Sequence, residues 1–249
     1  DDGFIGSPEE ILKISNSIYY SGWLEIINPI YEDYLQDKKI PYYIHNGGDY
    51  AYVGWEGDLS VDNGERIIQT TNSESYKSFI VDTFNKIDNL IDLDFELTNN
   101  NTNSLIDIYS TEYDPNNDNL GYAFIWESWI DIEFKNTNDV RDNYLTILHE
   151  IGHSLGLDHP DGDGYNPKYD IGQTVMSYND NEVLQQEVWF TESDIYTLQR
   201  IWGEENDNEE IPIKSAASKK ARIRNESEIN EKLDEQIEQI VPIVSILDE

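Results

Sequence analysis

Three histidines and a glutamate between residues 149 and 159 have the types and spacing of a catalytic metal site. His149 and His153 are four residues apart in a segment whose apolar residues have helical spacing, so both imidazoles should lie on one helix face, about 6 Å apart. Such a pair can share one Zn²⁺ ion. Gly156 tolerates a left-handed backbone, so we expect the helix to end there. The turn then brings back His159 as a third ligand, and three neutral nitrogens leave a fourth position for water, which is typical of catalytic zinc.

Glu150 follows the first of these histidines directly, so its carboxylate should lie beside the ligands without being one. In that position a carboxylate can take a proton from the attacking water. The short His-Glu-x-x-His pattern is weak by itself, but the added glycine and third histidine lower its chance occurrence by a further factor of about 400. The protein has four His and three are in this stretch, whereas ordinary surface or core histidines would be scattered.

Met176 is the only methionine of the chain and lies shortly after the histidines, in the segment 173–178 (QTVMSY). A methionine in a tight turn beneath a zinc ion provides a soft, apolar floor that braces the ligands. Taken alone, a methionine that simply fills a gap in the core is the more common case. The histidine pattern reverses this preference, so we interpret Met176 as the floor of the site.

Hydrophobic periodicity predicts the elements that must position these residues. We predict helices from Pro8 onward, over 73–90, over 144–155 and over 190–202, the last of them ending at Gly203. Five short segments rich in β-branched and aromatic residues are predicted to be strands, at 39–45, 93–98, 105–109, 121–125 and 129–134. The sequence 46–49 (NGGD) between the first strand and the next segment is predicted to be a loop.

Three segments together resemble the metzincin zinc peptidases, and their details are most similar to the serralysin group. They are 149–160 (HEIGHSLGLDHP), 174–178 (TVMSY) and 190–203 (FTESDIYTLQRIWG), and the resemblance extends from about residue 40 to 203. It implies that His149, His153 and His159 are the zinc ligands, that Glu150 is the general base and that Met176 forms the structural Met-turn. It also implies that Tyr178 coordinates the resting zinc and then swings away to stabilise the oxyanion. The alternative for Tyr178 is an ordinary core aromatic.

The segment Gly121-Tyr122-Ala123-Phe124 resembles the edge strand on which metzincins bind substrate in extended form. Binding of this kind is strand addition, in which main-chain hydrogen bonds supply the affinity. The alternative is a buried central strand.

The resemblance implies an α+β fold of the metzincin-type zincins. We expect a twisted, mostly parallel mixed sheet of five strands packed on the 73–90 helix and the zinc helix, with a smaller C-terminal lobe from 156 to 203 closing the cleft. The chain then divides into an N-terminal helical segment (1–40), a catalytic domain (41–203) and a charged linker with an amphipathic tail (204–249). The Gly-Gly-x-Gly-x-Asp repeats of the serralysin calcium domain are absent. Calcium is therefore supported only by 161–164 (DGDG), for which a solvated loop is the favoured interpretation.

The charge and composition limit the partners of the protein. A net charge of −35 repels nucleic acid and anionic membranes, so we expect neither as a partner. The chain has no Cys, which excludes disulfides, thiolate metal sites and a thiol nucleophile. It contains no run of 18 apolar residues that would predict a membrane span. We expect a secreted, extracellular monomer that acts on proteins or peptides, with a leader that was removed or an export signal elsewhere.

These observations predict a zinc metalloendopeptidase that hydrolyses internal peptide bonds. Two alternatives stay open. One is a non-enzymatic binding module with a dead or structural metal site. The other is a latent proenzyme in which residues 1–35 or the tail occupy the cleft; with no cysteine available, another group such as an Asp would have to block the zinc.

Overall fold

The computed structural model describes residues 6–32, 34–35, 39–47, 50–54, 65–71, 74–112, 119–126, 128–180 and 188–206. Residues 1–205 form one compact unit, and residues 206–249 form a second. The predicted amphipathic tail belongs to the second unit and lies outside the described residues.

A five-stranded mixed sheet forms the centre of the first unit, as the sequence predicted for an α+β protein. The described residues contain seven strands, of which five form this sheet and two form a separate pair. They are β1 (Lys39–Ile44), β2 (Tyr50–Gly54), β3 (Glu65–Gln69), β4 (Asp94–Thr98), β5 (Ile106–Glu112), β6 (Gly121–Ile125) and β7 (Ile130–Asn136). The main sheet has the order β4-β1-β5-β7-β6. Its first four strands are parallel, and β6 runs antiparallel to β7 at the edge. The separate antiparallel pair β2–β3 was not predicted.

The described ranges contain five α-helices: α1 (Pro8–Ile18), α2 (Ser21–Tyr31), α3 (Glu74–Asp88), α4 (Val140–Ser154) and α5 (Glu192–Trp202). Short 3₁₀ turns lie at Asn101–Asn103 and Pro160–Gly162. None of the helices in the described parts of the chain has the length and apolar character that crossing a bilayer requires. The N-terminal segment thus contains two helices, separated by extended backbone at Tyr19 and Tyr20.

Local capping explains where these helices begin. Ser7 precedes the first helical residue, Pro8, and forms a reciprocal capping box with Glu10, as expected for the predicted helix start. Helix α4 begins one turn earlier than the apolar pattern predicted, because the Asp139 carboxylate accepts hydrogen bonds from two first-turn amides. Helix α5 begins after Thr191 and ends at Gly203, where φ is +95°.

The hydrophobic core lies between the sheet and helices α3 and α4. It contains the alternate residues of β1, β5 and β7 and the apolar faces of both helices, and residues of α1, α2 and α5 belong to the same cluster. The opposite residues of β5 and β7 form a buried polar layer that includes Asp107, Asp131 and Glu133. There, burial raises the pKa of Asp107 to about 7, with a further upward contribution from Asp131.

Candidate metal centre

Helix α4 presents His149, Glu150 and His153 in its last two turns. The side chains of Ile147, Leu148 and Ile151 on the same helix are buried in the core, which fixes the rotation of the helix about its axis. His149 and His153 are then placed one turn apart, and both are less than a tenth exposed.

Gly156 turns the chain so that His159 can return to the helix. Its φ is +100°, a conformation that residues with a side chain rarely adopt, and a Cβ there would lie 2.7 Å from Leu24 Cδ2. The turn is held by the Leu157 amide, which donates to Gly152 O at 3.0 Å. The prediction that the helix ends at this glycine is confirmed.

The three histidines converge on one point through their Nε2 atoms. His159 Nε2 lies 3.2 Å from His149 Nε2 and 3.2 Å from His153 Nε2, and the three ligand atoms all lie within 4.8 Å of one another. Tetrahedral Zn²⁺ with nitrogens at 2.0–2.1 Å requires a separation of roughly 3.3 Å between ligand atoms. The donor set and its spacing could therefore hold one tetrahedrally coordinated metal ion.

Backbone carbonyls fix which nitrogen of each helical histidine carries the proton. Nδ1 of His149 is 2.8 Å from Val175 O, and Nδ1 of His153 is 2.9 Å from Leu157 O. Because a carbonyl oxygen can only accept, both Nδ1 atoms are the donors and both Nε2 atoms carry lone pairs. This is the tautomer in which imidazole binds a metal through Nε2, with the second nitrogen held by the protein.

Burial also keeps the histidines neutral. It lowers the pKa of His149 to about 4 and the pKa of His153 well below the usual value, while neighbouring histidines lower both further. The pKa of His159 is lowered too, mainly by burial, although Asp158 and Asp163 oppose the shift. All three side chains are thus unprotonated near neutral pH, as metal binding requires.

Glu150 is buried beside the ligands and faces the edge strand β6. Burial raises the pKa of its carboxyl to about 8. A Cβ added to Gly121, the first residue of β6, would lie 2.6 Å from Glu150 Oε1 and 2.6 Å from Thr146 Cγ2. A side chain here would displace Glu150 or Thr146, so Gly121 lets the strand backbone lie close to the carboxylate.

Strand β6 contains the four residues predicted to bind substrate, Gly121, Tyr122, Ala123 and Phe124. It is the edge strand of the main sheet, and all of its residues are partly exposed. The position is the one that strand addition requires. Binding of substrate to this edge stays a prediction.

Met176 is fully buried beneath the helix that carries the ligands. A Cβ on Gly152 would lie 2.7 Å from Met176 Sδ, so the glycine between the two helical histidines makes room for the sulfur. Sequence reasoning named Met176 and treated Gly152 as a variable position of the pattern. The placement of the thioether agrees with a floor to the site.

Asp194 holds the turn that contains Met176. Its carboxylate accepts hydrogen bonds from Thr174 Oγ1 (2.5 Å), Val175 N (3.0 Å) and Thr191 N (2.9 Å). Because Val175 O is the acceptor for His149 Nδ1, the aspartate supports a ligand through one peptide unit. In the sequence, Asp194 is simply one residue of the helix predicted over 190–202. Its link to the metal centre is a long-range contact that the local pattern does not contain.

Tyr178 lies across two of the ligands at the open side of the site and is 47% exposed. Its ring stacks on His149 with centroids 5.2 Å apart and meets His159 edge-on at 4.8 Å. The ring rests against Gly164, where a Cβ would come within 2.5 Å of it, and against the exposed Tyr165 at 4.9 Å between centroids. The structure therefore brings Tyr178 to the metal centre and not into the core.

In the loop 161–164, for which a solvated loop was the favoured interpretation, the carboxylates accept hydrogen bonds from neighbouring residues. Asp161 accepts from Asn166 Nδ2 at 3.0 Å, and Asp163 accepts from Tyr165 N at 2.9 Å. Within the described part of the chain, the three histidines are the one group of three or more suitable side chains that could hold a metal ion. Calcium binding at this loop stays untested.

The five-stranded mixed sheet and the three-histidine cluster are together compatible with a zincin. Neither the models of known protein families nor the sequences of curated proteins match this chain. Any narrower assignment therefore depends on the residues and geometry described above.

Proposed function

We propose that this protein is a zinc-dependent endopeptidase of the metzincin type, most similar to the serralysin group. The observation that carries the proposal is the convergence of three Nε2 atoms on one point, with a buried glutamate beside them. On His149 and His153 the Nε2 lone pair is fixed by a carbonyl that accepts from Nδ1. Ordinary core histidines are not expected to direct the acceptor nitrogens of His149 and His153 toward the same point, because two facing lone pairs repel each other unless a cation or a donor lies between them.

A zinc ion bound by His149, His153 and His159 would supply Lewis acidity that polarises the scissile carbonyl and acidifies the attacking water. Glu150 takes the proton from that water and passes it to the leaving amine. Its burial strengthens its affinity for the proton, and a nearby cation favours the ionised form. With the cation bound, the carboxylate is ionised and can accept the proton of the attacking water. Its burial then favours the protonated form until the proton is passed to the leaving amine.

In this proposal Tyr178 donates to the oxyanion of the tetrahedral intermediate. Burial and the nearby Glu150 raise the pKa of its phenol to about 12, so the hydroxyl keeps its proton throughout the neutral range. A neutral O–H donor at the open side of the site can stabilise negative charge as it develops.

Strand β6 supplies the substrate surface in this proposal. An extended peptide added to this edge runs alongside Gly121, where an added Cβ would lie 2.6 Å from Glu150 Oε1. Main-chain recognition of this kind requires an unfolded or extended substrate segment. We also propose secretion and extracellular action on proteins or peptides, which the resemblance to the serralysin group supports.

Of the alternatives, a non-catalytic module would need the three ligands but not Glu150 or Tyr178. The closeness of Gly121 to Glu150 and the partial exposure of Tyr178 favour the enzyme. Blockage of the cleft by the N-terminal segment is disfavoured, because residues of α1 and α2 pack in the core. The tail lies outside the described residues, so its inhibitory role is open to a direct comparison of full-length and shortened chains.

The proposal predicts metal-dependent cleavage of an unfolded protein. We expect the purified, zinc-supplemented chain to degrade casein, and we expect 1,10-phenanthroline to abolish the activity. The isomer 1,7-phenanthroline cannot chelate and serves as the matched control. Recovery on adding Zn²⁺ back would complete the test. Degradation that 1,10-phenanthroline leaves unchanged, or no degradation by protein containing stoichiometric zinc, would contradict the proposal.

A further inference from the structure

The C-terminal end of helix α4 has an unusual set of hydrogen-bond donors. The last carbonyls of a helix have no partners within it and must find them elsewhere. Here three successive carbonyls, of His153, Ser154 and Leu155, each accept from a long aromatic side chain of another helix. The donors are Trp23 Nε1 (3.1 Å), Tyr31 Oη (2.9 Å) and Trp202 Nε1 (2.8 Å), respectively.

Trp23 differs from the other two donors because its acceptor belongs to a metal-ligand residue. Its indole N–H donates to the carbonyl of His153, and its ring also packs against the His153 imidazole, with centroids 5.8 Å apart. Main chain and side chain of one ligand therefore both contact this tryptophan. Trp202, in contrast, packs on Tyr31, and its acceptor Leu155 is not a ligand.

The N-terminal segment also holds the acceptor that orients His153. Nδ1 of His153 donates to Leu157 O, which sets the direction of the Nε2 lone pair. Leu157 forms an isolated antiparallel bridge with Tyr19, and the next amide, of Asp158, donates to Ile18 O at 2.9 Å. The start of α2 thus contacts the His153 ring directly through Trp23, and the end of α1 contacts the segment that carries the acceptor of its Nδ1.

We propose that Trp23 is a positioning residue for the ligand His153, and that the N-terminal helices are thereby part of the metal centre. The proposal rests on the proposed three-histidine zinc site. The His153 carbonyl accepts from the Trp23 indole and also from the Gly156 amide at 3.1 Å, so the indole ties this carbonyl to α2. The Leu157 carbonyl fixes the ring. Loss of the indole N–H allows the last turn of α4 to shift and turns the Nε2 lone pair away from the shared point. Shifts of this kind at outer contacts of ligands typically cost 10–100-fold in metal affinity.

The chain contains a matched pair of variants for the test. Trp23→Phe and Trp202→Phe each remove one indole N–H from a carbonyl at the same helix end, but only the first carbonyl belongs to a ligand. Zinc affinity is measured by competition with a chromophoric chelator, and the Co²⁺-loaded proteins are compared by their visible d–d spectra. Thermal unfolding of the zinc-free proteins reports the structural cost of each change separately.

We expect Trp23→Phe to weaken zinc binding about 10–100-fold and to shift the Co²⁺ spectrum. Trp202→Phe should stay within about twofold of wild type in affinity and keep the wild-type spectrum, even where its melting temperature falls further. Should Trp23→Phe fail to fold, Trp23→Leu takes its place, since leucine also has no side-chain hydrogen-bond donor.

Two results would overturn the positioning role. One is a Trp23→Phe protein with wild-type zinc affinity and cobalt spectrum, whatever its melting temperature. The other is an equal loss of affinity in both variants, which would indicate general packing at the helix end. A wild-type protein that binds neither Zn²⁺ nor Co²⁺ would instead reject the proposed metal site, so the two failures are distinguishable.

Discussion

Replacing Glu150 by glutamine is expected to lower kcat/KM for peptide hydrolysis by about 10³-fold, within the range typical of a lost general base. Glutamine has the shape of the carboxylate but cannot accept the proton of the attacking water. The three Nε2 atoms are untouched, so zinc should remain bound at one ion per chain. Cleavage of a quenched fluorescent peptide and metal analysis of the same sample measure both quantities.

Glu192→Gln makes the same chemical change at an exposed position in α5 and should leave activity unchanged.

The pH dependence of stability gives a second test of the Glu150 carboxyl. In zinc-free wild type the raised pKa means that the folded state binds more protons than the unfolded state between about pH 4.5 and pH 8. The contribution of the Glu150 carboxyl to the free energy of unfolding therefore falls as pH rises through that window. In Glu150→Gln this pH-dependent contribution should be absent. Near wild-type hydrolysis by Glu150→Gln would show that another group is the base.

Replacing His159 by glutamine is expected to weaken zinc binding about 150-fold and to remove activity at limiting zinc. Structural zinc sites have apparent binding free energies of about 10–16 kcal/mol from four ligands, or roughly 3 kcal/mol for each. His159 is the least buried of the three histidines and lies in the turn after α4, so its replacement should disturb the core least. Competition with a chelator gives the affinity, and circular dichroism checks the fold.

His45→Gln is the natural control, because His45 is the one histidine of the chain outside the cluster. Its ring contacts Tyr43 and Tyr109 on the sheet. We expect this variant to bind zinc as wild type does. Equal affinities in the His159 and His45 variants would mean that His159 is not a ligand.

The histidines, Glu150, Met176 and Tyr178 could be predicted because they all lie within about thirty consecutive residues. Helical spacing placed His149 and His153 on one face, and Gly156 marked the turn that returns His159. The five strands of the main sheet were identified from β-branched and aromatic runs. The start of α4 was missed by one turn, since the capping carboxylate of Asp139 overrides the apolar pattern.

The remainder depends on contacts between distant segments, which periodicity does not encode. Trp23 and His153 are 130 residues apart in sequence, and Tyr31 and Ser154 are 123 apart. The strand pair β2–β3 was missed because no two-residue hairpin turn links its strands, and the preceding Asn-Gly-Gly-Asp indicated only a loop. Local sequence patterns also provided no reason for the two glycines Gly121 and Gly152. In the folded chain, Gly121 makes room for Glu150 and Gly152 makes room for Met176.

The most direct measurement is zinc K-edge X-ray absorption on the zinc-loaded protein, which counts and identifies the ligands of the ion. We expect three imidazole nitrogens at about 2.0–2.1 Å and at least one further light-atom ligand from solvent or Tyr178. The imidazole signal should fall to two rings in His159→Gln and stay at three in His45→Gln. Fewer than three imidazoles in the wild-type protein, or a shell made mainly of carboxylate oxygens, would contradict a three-histidine catalytic zinc.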